Sequence, residues 1–512
     1  MATDDARIPA AWQPMIDDLA RRQSDARAMG GPERLARQQA AGRLDARQRI
    51  AALLDPGSFV ELGTLVGGEA QIPADGFIAG TGLIDGRDVV VGAEDFTVLG
   101  GSIGIRAHAK RYRIAELALQ ERRPLVLLLD GAGERAQNAF ERYPRSPNDL
   151  QMLARLSGLV PTVVVILGPS AGHGALAAPL ADFVVMTAGA CAFTAGPPLV
   201  QGATGEVTTK EELGGSAVQA ASGLAHEVAP DDRSALALAR RYLGFFPSSA
   251  WQRPPDHPSR GGRFDDAGER RLDSILEVIP ADQKKAYDML GVLRLLVDGG
   301  DLLEVQPGFG RSILTVLAHL GGEPVAIVAS QPTVKAGAID AEAADKAGRF
   351  VEIADAFHLP VLFLADTPGV LVGRVSERQG ILRHAMRMFA AQARMQGVKI
   401  HVTLRKVYSV ASCLMGMNPF DGQTAALAFP SGRIAAMPAS GASDAVGADA
   451  ELRQQLDASE LVGVYRPADG MSYDDVIDPR ELRNRVLHAL RLGRGRNGDV
   501  APQPVARTGI LP

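Results

Sequence analysis

The residues best suited to chemistry in this chain are small ones. Residues 168–175 read Gly-Pro-Ser-Ala-Gly-His-Gly-Ala and follow the aliphatic run Val163 to Leu167. A backbone with so little side-chain bulk lets its N–H groups approach a ligand closely, most of all where a helix begins. Such a loop can receive a negatively charged oxygen. Read alone, the stretch is better explained as a tight strand-to-helix turn in which small residues only permit packing. Gly168-Pro169-Ser170-Ala171-Gly172 also has the spacing of a nucleophile elbow, with Ser170 as the nucleophile. Pro169 would restrict the strained turn an elbow needs, and no acid and histidine pair follows recognisably, so a serine hydrolase is the lesser alternative.

Positioning that loop takes a buried strand before it and a helix after it. Val163 to Leu167 suits a strand covered on both faces, as in α/β architectures. With 512 residues, 46% hydrophobic and 22% charged, the chain has room for two or more domains with real cores. A net charge of −5 and a pI near 6.0 give no overall attraction to nucleic acid or to an anionic membrane. Two cysteines, Cys191 and Cys413, exclude a disulfide framework and a cysteine-rich zinc site. The N-terminus lacks the apolar core of a secretory signal, and no run approaches the roughly 20 apolar residues of a membrane span. A soluble, cytoplasmic protein is expected. There is no Gly-x-x-x-x-Gly-Lys-Ser/Thr loop, no His-Glu-x-x-His and no Cys-x-x-Cys, so no metal site is expected.

Along the chain, helical spacing rich in Arg and Gln marks an N-terminal arm over 1–60, lying on a globular body. Gly80 to Ile84, Asp85-Gly86-Arg87 and Val89 to Val91 predict a hairpin, residues 105 to 121 a helix, and Pro124 to Asp130 a buried strand. Prolines and charge over 251–285 predict a linker between a domain at 61–250 and another at 286–500. The second half repeats the first. Gly321-Gly322-Glu323-Pro324 answers the Asp85 turn, and Pro360 to Asp366 answers Pro124 to Asp130 with an offset of 366 − 130 = 236. Ile400 to Ala411 answers the opening stretch, and Phe420-Asp421-Gly422 lies against Ala181-Asp182-Phe183 with an offset of 421 − 182 = 239. Matched features at nearly one offset predict a duplicated domain. Each half then carries a small-residue loop after a buried strand, and paired backbone donors at such loops can stabilise an enolate oxygen.

At this point the sequence resembles the carboxyltransferase (beta) subunits of biotin-dependent acyl-CoA carboxylases, of the propionyl-, acetyl- and methylcrotonyl-CoA carboxylase type within the crotonase superfamily. The resemblance covers about 35 to 445 and runs through motifs in order: Arg47-x-Arg49-Ile50 to Leu62, Glu94 to Gly104, Gly168 to Gly172, Thr208 to Gly215, Gly223-Leu224-Ala225-His226, Asp301 to Pro307, Asp366-Thr367-Pro368-Gly369 and Leu404 to Tyr408.

What the resemblance implies is an α/β fold of two tandem crotonase-like domains of ββα repeats, related by internal duplication. It implies carboxyl transfer from carboxybiotin to the α carbon of an acyl-CoA through enolates held in two oxyanion holes. Amides of Gly172 and His173 would hold the thioester oxygen, and those of Val410 and Ala411 the biotin ureido oxygen. Gly100, Gly101, Lys110, Ala132 and Gly133 match the CoA site, Phe193, Gly196 and Pro197 a loop near the acyl group, and Cys413 a position that helps set acyl length. Tyr408, Ser409, Pro368 and Gly369 fall on the biotin side. Biotin would come on a separate carrier, because this chain has no Ala-Met-Lys-Met site and no ATP-binding module; the implied partners are a biotin carboxylase/carrier subunit, acyl-CoA and further copies of this chain, as a hexamer.

The chain departs from the family pattern where His173 replaces a glycine, where Ser409-Val410-Ala411 replaces Gly-Gly-Ala, and where Glu134 enters the Ala132-Gly133-Glu134-Arg135 loop. His173 is either a proton-transfer group near neutral pH or a histidine filling space or facing solvent. Glu134 would set a negative charge beside an anionic CoA. Cys413 would leave room for a longer or branched acyl chain, or is an inert buried thiol. Two further alternatives stand: a decarboxylase subunit using the same holes in reverse, and a non-catalytic scaffold paralogue.

Overall fold

The structure is a computed structural model, described for residues 9–141, 147–255, 266–417, 419–497, 503–504 and 510. Of the expected arm, linker and second domain, residues 1–8, 256–265, 418 and 498–500 lie outside the described residues. The chain forms two compact units, 1–219 with 228–240, and 220–227 with 241–512.

The first unit is built on an eight-stranded sheet of β1 (Val60–Leu62), β2 (Phe77–Ile84), β3 (Arg87–Glu94), β4 (Leu125–Gly131), β5 (Thr162–Ala171), β6 (Phe183–Thr187), β7 (Cys191–Phe193) and β8 (Glu227–Ala229). The order is β1-β2-β3-β4-β5-β6-β8, with β7 pairing the far end of β5. Asp85 and Gly86, both at positive φ, close the β2–β3 hairpin in two residues, the primed-turn geometry that matches strand twist. From β3 to β6 the strands run parallel. Central residues such as Val91, Leu127, Leu129 and Val165 are buried, which is why these runs are aliphatic without alternation.

The second unit repeats the plan with β9 (Leu302–Val305), β10 (Ile313–Leu320), β11 (Glu323–Ser330), β12 (Val361–Thr367), β13 (Lys399–Tyr408), β14 (Ala425–Ala428), β15 (Arg433–Ala435) and β16 (Asp475–Val476), in the order β16-β14-β13-β12-β11-β10-β9 with β15 on β13. Its core joins Leu293 and Leu296 of the Met289–Leu296 helix to Val316, Ile327, Leu364, Val402 and Val486. Among the described residues no helix is long and apolar enough to cross a membrane.

Duplication is exact in the strands that matter. β4 and β12 are both seven residues long with an offset of 361 − 125 = 236, and β5 and β13 are both ten residues long with an offset of 399 − 162 = 237. One sequence match needs correcting. Asp182 N donates to Thr162 O (3.0 Å), and the bond in the same place in the second unit is Thr424 N to Lys399 O (2.8 Å), so Asp182 corresponds to Thr424 and not to Asp421. The second unit has a longer connection there, 425 − 183 = 242 between the starts of β6 and β14.

The arm is also more than a surface attachment. Arg49, at 1% exposure, donates to Asp130 Oδ2 (2.7 Å) and Asp232 Oδ2 (2.8 Å), and Arg43 pairs with the same Asp130 oxygen. Burial of Asp130 at the end of β4 draws two of the arm's arginines inward.

Candidate functional site

Each unit has one strand-to-helix junction at the end of its longest strand. In the first, β5 runs to Ala171 and a short helix, Gly172–Ala175, begins at once. Gly172 takes φ +51, a left-handed conformation that glycine adopts without cost. The first amides of a helix have no intrahelical acceptor, so the junction offers backbone donors. The surrounding loops are close-packed. Gly133 packs so tightly that a Cβ there would sit 2.5 Å from Ala171 O, and a Cβ on Gly101 would sit 2.4 Å from Asp130 O. Ala132 N donates to Gly100 O (2.9 Å), knitting the two loops together. Phe193, ending β7, lies opposite Ala171 in register, and Gly196 N-caps the Pro197–Thr204 helix against the Phe193 ring. A cavity of about 470 Å³ opens beside Gly100, lined in part by Arg34, Arg37, Arg43 and Phe96.

In the second unit the corresponding residue to Gly172 is Ser409, at 409 − 172 = 237, and it keeps the positive φ, +57. Its amide donates to Ala435 O (3.0 Å), while Leu414 N and Met415 N return to Val410 O and Ala411 O. The helix Ala411–Leu414 follows with Val410 as its N-cap, and the amides of Val410 and Ala411 lie at its start. Gly369, at φ +123, lies 3.7 Å by its Cβ direction from Tyr408 O, as Gly133 lies against Ala171, and a Cβ on Gly337 would sit 2.5 Å from Asp366 O, as on Gly101. Pro368 and Gly369 are thus brought beside Tyr408 and Ser409. The Tyr408 hydroxyl donates to Glu460 Oε1 (2.6 Å); burial first, then that carboxylate, pushes its pKa up.

Side chains differ far more than backbones. Behind Gly172, His173 Nε2 bonds Asp149 Oδ1 (2.5 Å) and its ring stands edge-on to that of His108, centroids 4.6 Å apart. His108 reaches Asp149 Oδ1 through Nδ1 (3.3 Å) and Glu134 Oε2 through Nε2 (2.8 Å). Arg111, one turn along the Ile105–Gln120 helix, donates to Asp149 Oδ2 (2.6 Å) and Glu94 Oε1 (3.0 Å), and Asp130 N donates to Glu94 Oε2 (2.8 Å). Burial raises the Glu94 pKa to about 7 against the opposing pull of Arg111. Burial would raise Asp149 too, but Arg111 and then the two histidines outweigh it and hold its carboxyl well below the usual range. For His108, burial lowers and the bonds to Asp149 and Glu134 more than offset it, so its pKa is raised.

Several expectations change here. Ser170 lies in extended β5, paired to Gly131 and Ala192, and is fully buried, so it is not the exposed residue of an elbow and the hydrolase alternative falls. Lys110 is not brought to the junction: its ammonium is buried and donates to Ala74 O and Phe77 O, and burial lowers its pKa to about 8. It borders another cavity with Leu65 and Val66. Cys413 is an exposed thiol, not a buried one, because it takes the outward position of the short helix after Val410. Glu134 is held by His108 and by Asn138 (2.6 Å). His173 is neither solvent-facing nor mere filling. Sequence reasoning missed His108, Arg111, Asp149 and Glu94; the three-residue spacing of His108 and Arg111 on one helix face was the only local signal, since Asp149 meets them through space.

The carboxyl transferase domain pattern matches residues 37–501. The chain is 35% identical over 511 residues to the methylmalonyl-CoA carboxyltransferase 12S subunit of Propionibacterium freudenreichii subsp. shermanii, covering 95% of both chains. It is 34% identical to the methylmalonyl-CoA decarboxylase subunit alpha of Veillonella parvula, over 96% of this chain and 98% of that one. A crystal structure of the transcarboxylase 12S hexamer, with methylmalonyl-coenzyme A bound, superposes with a TM-score of 0.87 at 34% identity, covering 95% of this chain and 97% of that one.

Proposed function

This chain belongs to the carboxyl transferase domain family, and from that premise we propose that it moves a carboxyl group from carboxybiotin to the α carbon of an acyl-CoA thioester. The observation that carries the proposal is the pair of strand-to-helix junctions at Gly172 and Ser409, one per unit, each with a left-handed residue and helix-starting amides. At the first, the amides of Gly172 and His173 receive the thioester oxygen as it becomes an enolate oxygen. Fixed dipoles aimed at developing charge need no reorganisation during the reaction. Gly100, Gly101, Ala132 and Gly133 form the wall along which CoA lies, Arg34 and Arg37 in the adjoining cavity suit its phosphates, and Phe193, Gly196 and Pro197 border the acyl group. Lys110 serves from behind, by fixing the start of β2.

At the second junction, the amides of Val410 and Ala411 hold the ureido oxygen of biotin, with Ser409, Tyr408, Pro368 and Gly369 around it. The Ser409 amide, already bonded to Ala435, takes no part. Biotin supplies the activated carboxyl group and arrives on a separate carrier subunit; this chain's amides orient it and stabilise the charge left on its oxygen. Cys413, in the same short helix, is exposed. The assembly is a hexamer in the cytoplasm, as the solved 12S relative is a hexamer, working with a biotin carboxylase/carrier partner.

A second reading, decarboxylation, is favoured by the 34% identity to a methylmalonyl-CoA decarboxylase subunit. One experiment separates the readings. Purified chain with a biotinylated carrier and its carboxylase is offered bicarbonate, ATP and acetyl-, propionyl- or longer acyl-CoA, and in parallel the carrier with a malonyl-type CoA. Net carboxylated product from an acyl-CoA is expected. CO2 release without forward transfer supports decarboxylation, and absence of both together with no thioester binding would overturn the enzyme reading in favour of a scaffold.

A further inference from the structure

We propose that His108, Glu134 and His173 form a binding site for a divalent first-row transition metal ion, with Asp149 orienting both imidazoles. The three side chains come from the Ile105–Gln120 helix, the loop after β4 and the helix that begins at Gly172. One ligand atom from each lies within 4.8 Å of the other two. Nothing in the local sequence spacing announces this set, which is why no metal was expected from the sequence.

The arrangement behind the three donors is what distinguishes them from a chance cluster. A histidine that binds a metal through one nitrogen characteristically gives its other nitrogen to a carboxylate, which fixes the tautomer and aims the ring. Asp149 does this for two rings at once: one oxygen, Oδ1, meets Nδ1 of His108 and Nε2 of His173. The other nitrogens, Nε2 of His108, which faces Glu134 Oε2, and Nδ1 of His173, are the ones not engaged by Asp149. Asp149 is itself clamped from its other oxygen by Arg111. His108 Nε2 and Glu134 Oε2 are 2.8 Å apart, and an ion about 2.1 Å from each donor settles between them by opening that pair slightly while His173 closes in.

Exposure fits a site open to exchange. The Glu134 side chain is 43% exposed and that of His173 is 19% exposed, against 9% for His108. Two imidazoles and one carboxylate leave coordination positions for water or substrate, a donor set that suits zinc, cobalt or iron(II) over magnesium or calcium. The second unit supplies the internal control. At the offsets already found, His108, Glu134 and His173 correspond to Ala344 (344 − 108 = 236), Val370 (370 − 134 = 236) and Val410 (410 − 173 = 237). The backbone there is the same: Ile339 bridges Val370 as Ile103 bridges Glu134. The fold therefore forms without these groups, and their presence in one unit needs a reason of its own.

The test uses the full chain and no acyl-CoA, so its outcome is independent of the carboxyl-transfer reading. Protein loaded with zinc and then dialysed is analysed for bound metal by mass spectrometry, and metal-free protein is titrated with Co2+ while its visible d–d bands are recorded. One equivalent per chain is expected, with Co2+ binding weakened by more than about 100-fold in His173→Gly and His108→Ala and reduced in Glu134→Gln. His384→Ala, which alters a histidine paired with Asp345 in the other unit, is expected to bind as the parent does. Circular dichroism of each metal-free variant verifies that it is folded; Glu134→Gln, a shape-conserving change at a half-exposed side chain, serves if either histidine variant is not. Well under one equivalent with no Co2+ bands, or binding unaffected by all three variants, would overturn the proposal.

Discussion

The Gly172 junction and the Ser409 junction share a backbone and almost nothing else. Positive φ recurs at Gly172 and Ser409, at Gly133 and Gly369, and at Gly101 and Gly337. Around the first junction the supporting positions hold Glu94, His108, Arg111, Glu134 and His173; around the second, Ser330, Ala344, Ala347, Val370 and Val410. Even the bond that steadies the end of the neighbouring strand is kept with a different atom, Glu94 Oε2 accepting from Asp130 N and Ser330 Oγ from Asp366 N. Duplication preserved what positions amides and let the side chains diverge. The same backbone is thus compatible with two different sets of side chains at these positions, mostly charged in the first unit and small or aliphatic in the second.

The buried aspartates give the comparison its sharpest contrast. Asp130 and Asp366, each fully buried at the end of the fourth-in-line strand, need a cation. Asp366 takes Arg405 from the adjacent strand β13 (2.7 Å), with Lys406 at 3.6 Å. The position equivalent to Arg405 is Gly168, and a Cβ there would overlap Arg43 and Asp130. The first unit imports its arginines from the arm instead. Removing either main partner, Arg49→Met or Arg405→Met, leaves an undercompensated buried carboxylate and is expected to cost about 3–5 kcal/mol, read as a lowered urea midpoint. The comparison breaks if Arg49→Met is harmless, since the arm would then be dispensable to the first unit.

A device common to both units gives the next effect. Lys110 and Lys346 lie 236 apart and both donate to backbone carbonyls near the start of the first hairpin strand, Ala74 and Phe77 in one unit, Phe309 and Ile313 in the other. Burial lowers each pKa from 10.5 to about 8. With the folded value depressed, the neutral form is favoured in the folded state, so this contribution to stability is present above pH 10.5 and lost as pH falls through 8. Each lysine is expected to tilt stability by about 3 kcal/mol across that window. Lys110→Met and Lys346→Met should each flatten the rise between pH 8 and 10.5, to a similar degree, in unfolding curves recorded at several pH values.

The smallest effect is at the junctions themselves. Ser409→Gly relieves a left-handed side chain and is expected to stabilise by about 0.5–1 kcal/mol, while Gly172→Ser destabilises by about 1–2 kcal/mol. Opposite signs in thermal midpoints would sharpen the correspondence between the two residues; equal signs would break it.

Sequence by itself determined the strands, the hairpin turns and the repeat. Val163 to Leu167 suited a buried strand, and Asp85-Gly86 and Gly321-Gly322 marked their turns, because aliphatic runs and left-handed turn residues act over a few positions. It also gave the loops that supply amides, since smallness is a local property. Tertiary structure decided which side chains surround those amides. Asp149 joins His108, Arg111 and His173, and Arg49 of the arm reaches Asp130; neither is visible in spacing. The same applies to Ser170, whose elbow-like neighbours belong to a buried strand, to Cys413, turned outward by helix phase, and to Asp182, matched by Thr424 across a longer connection. Charge pairing in a buried interior is set by what comes close in space, and only the folded chain contains that information.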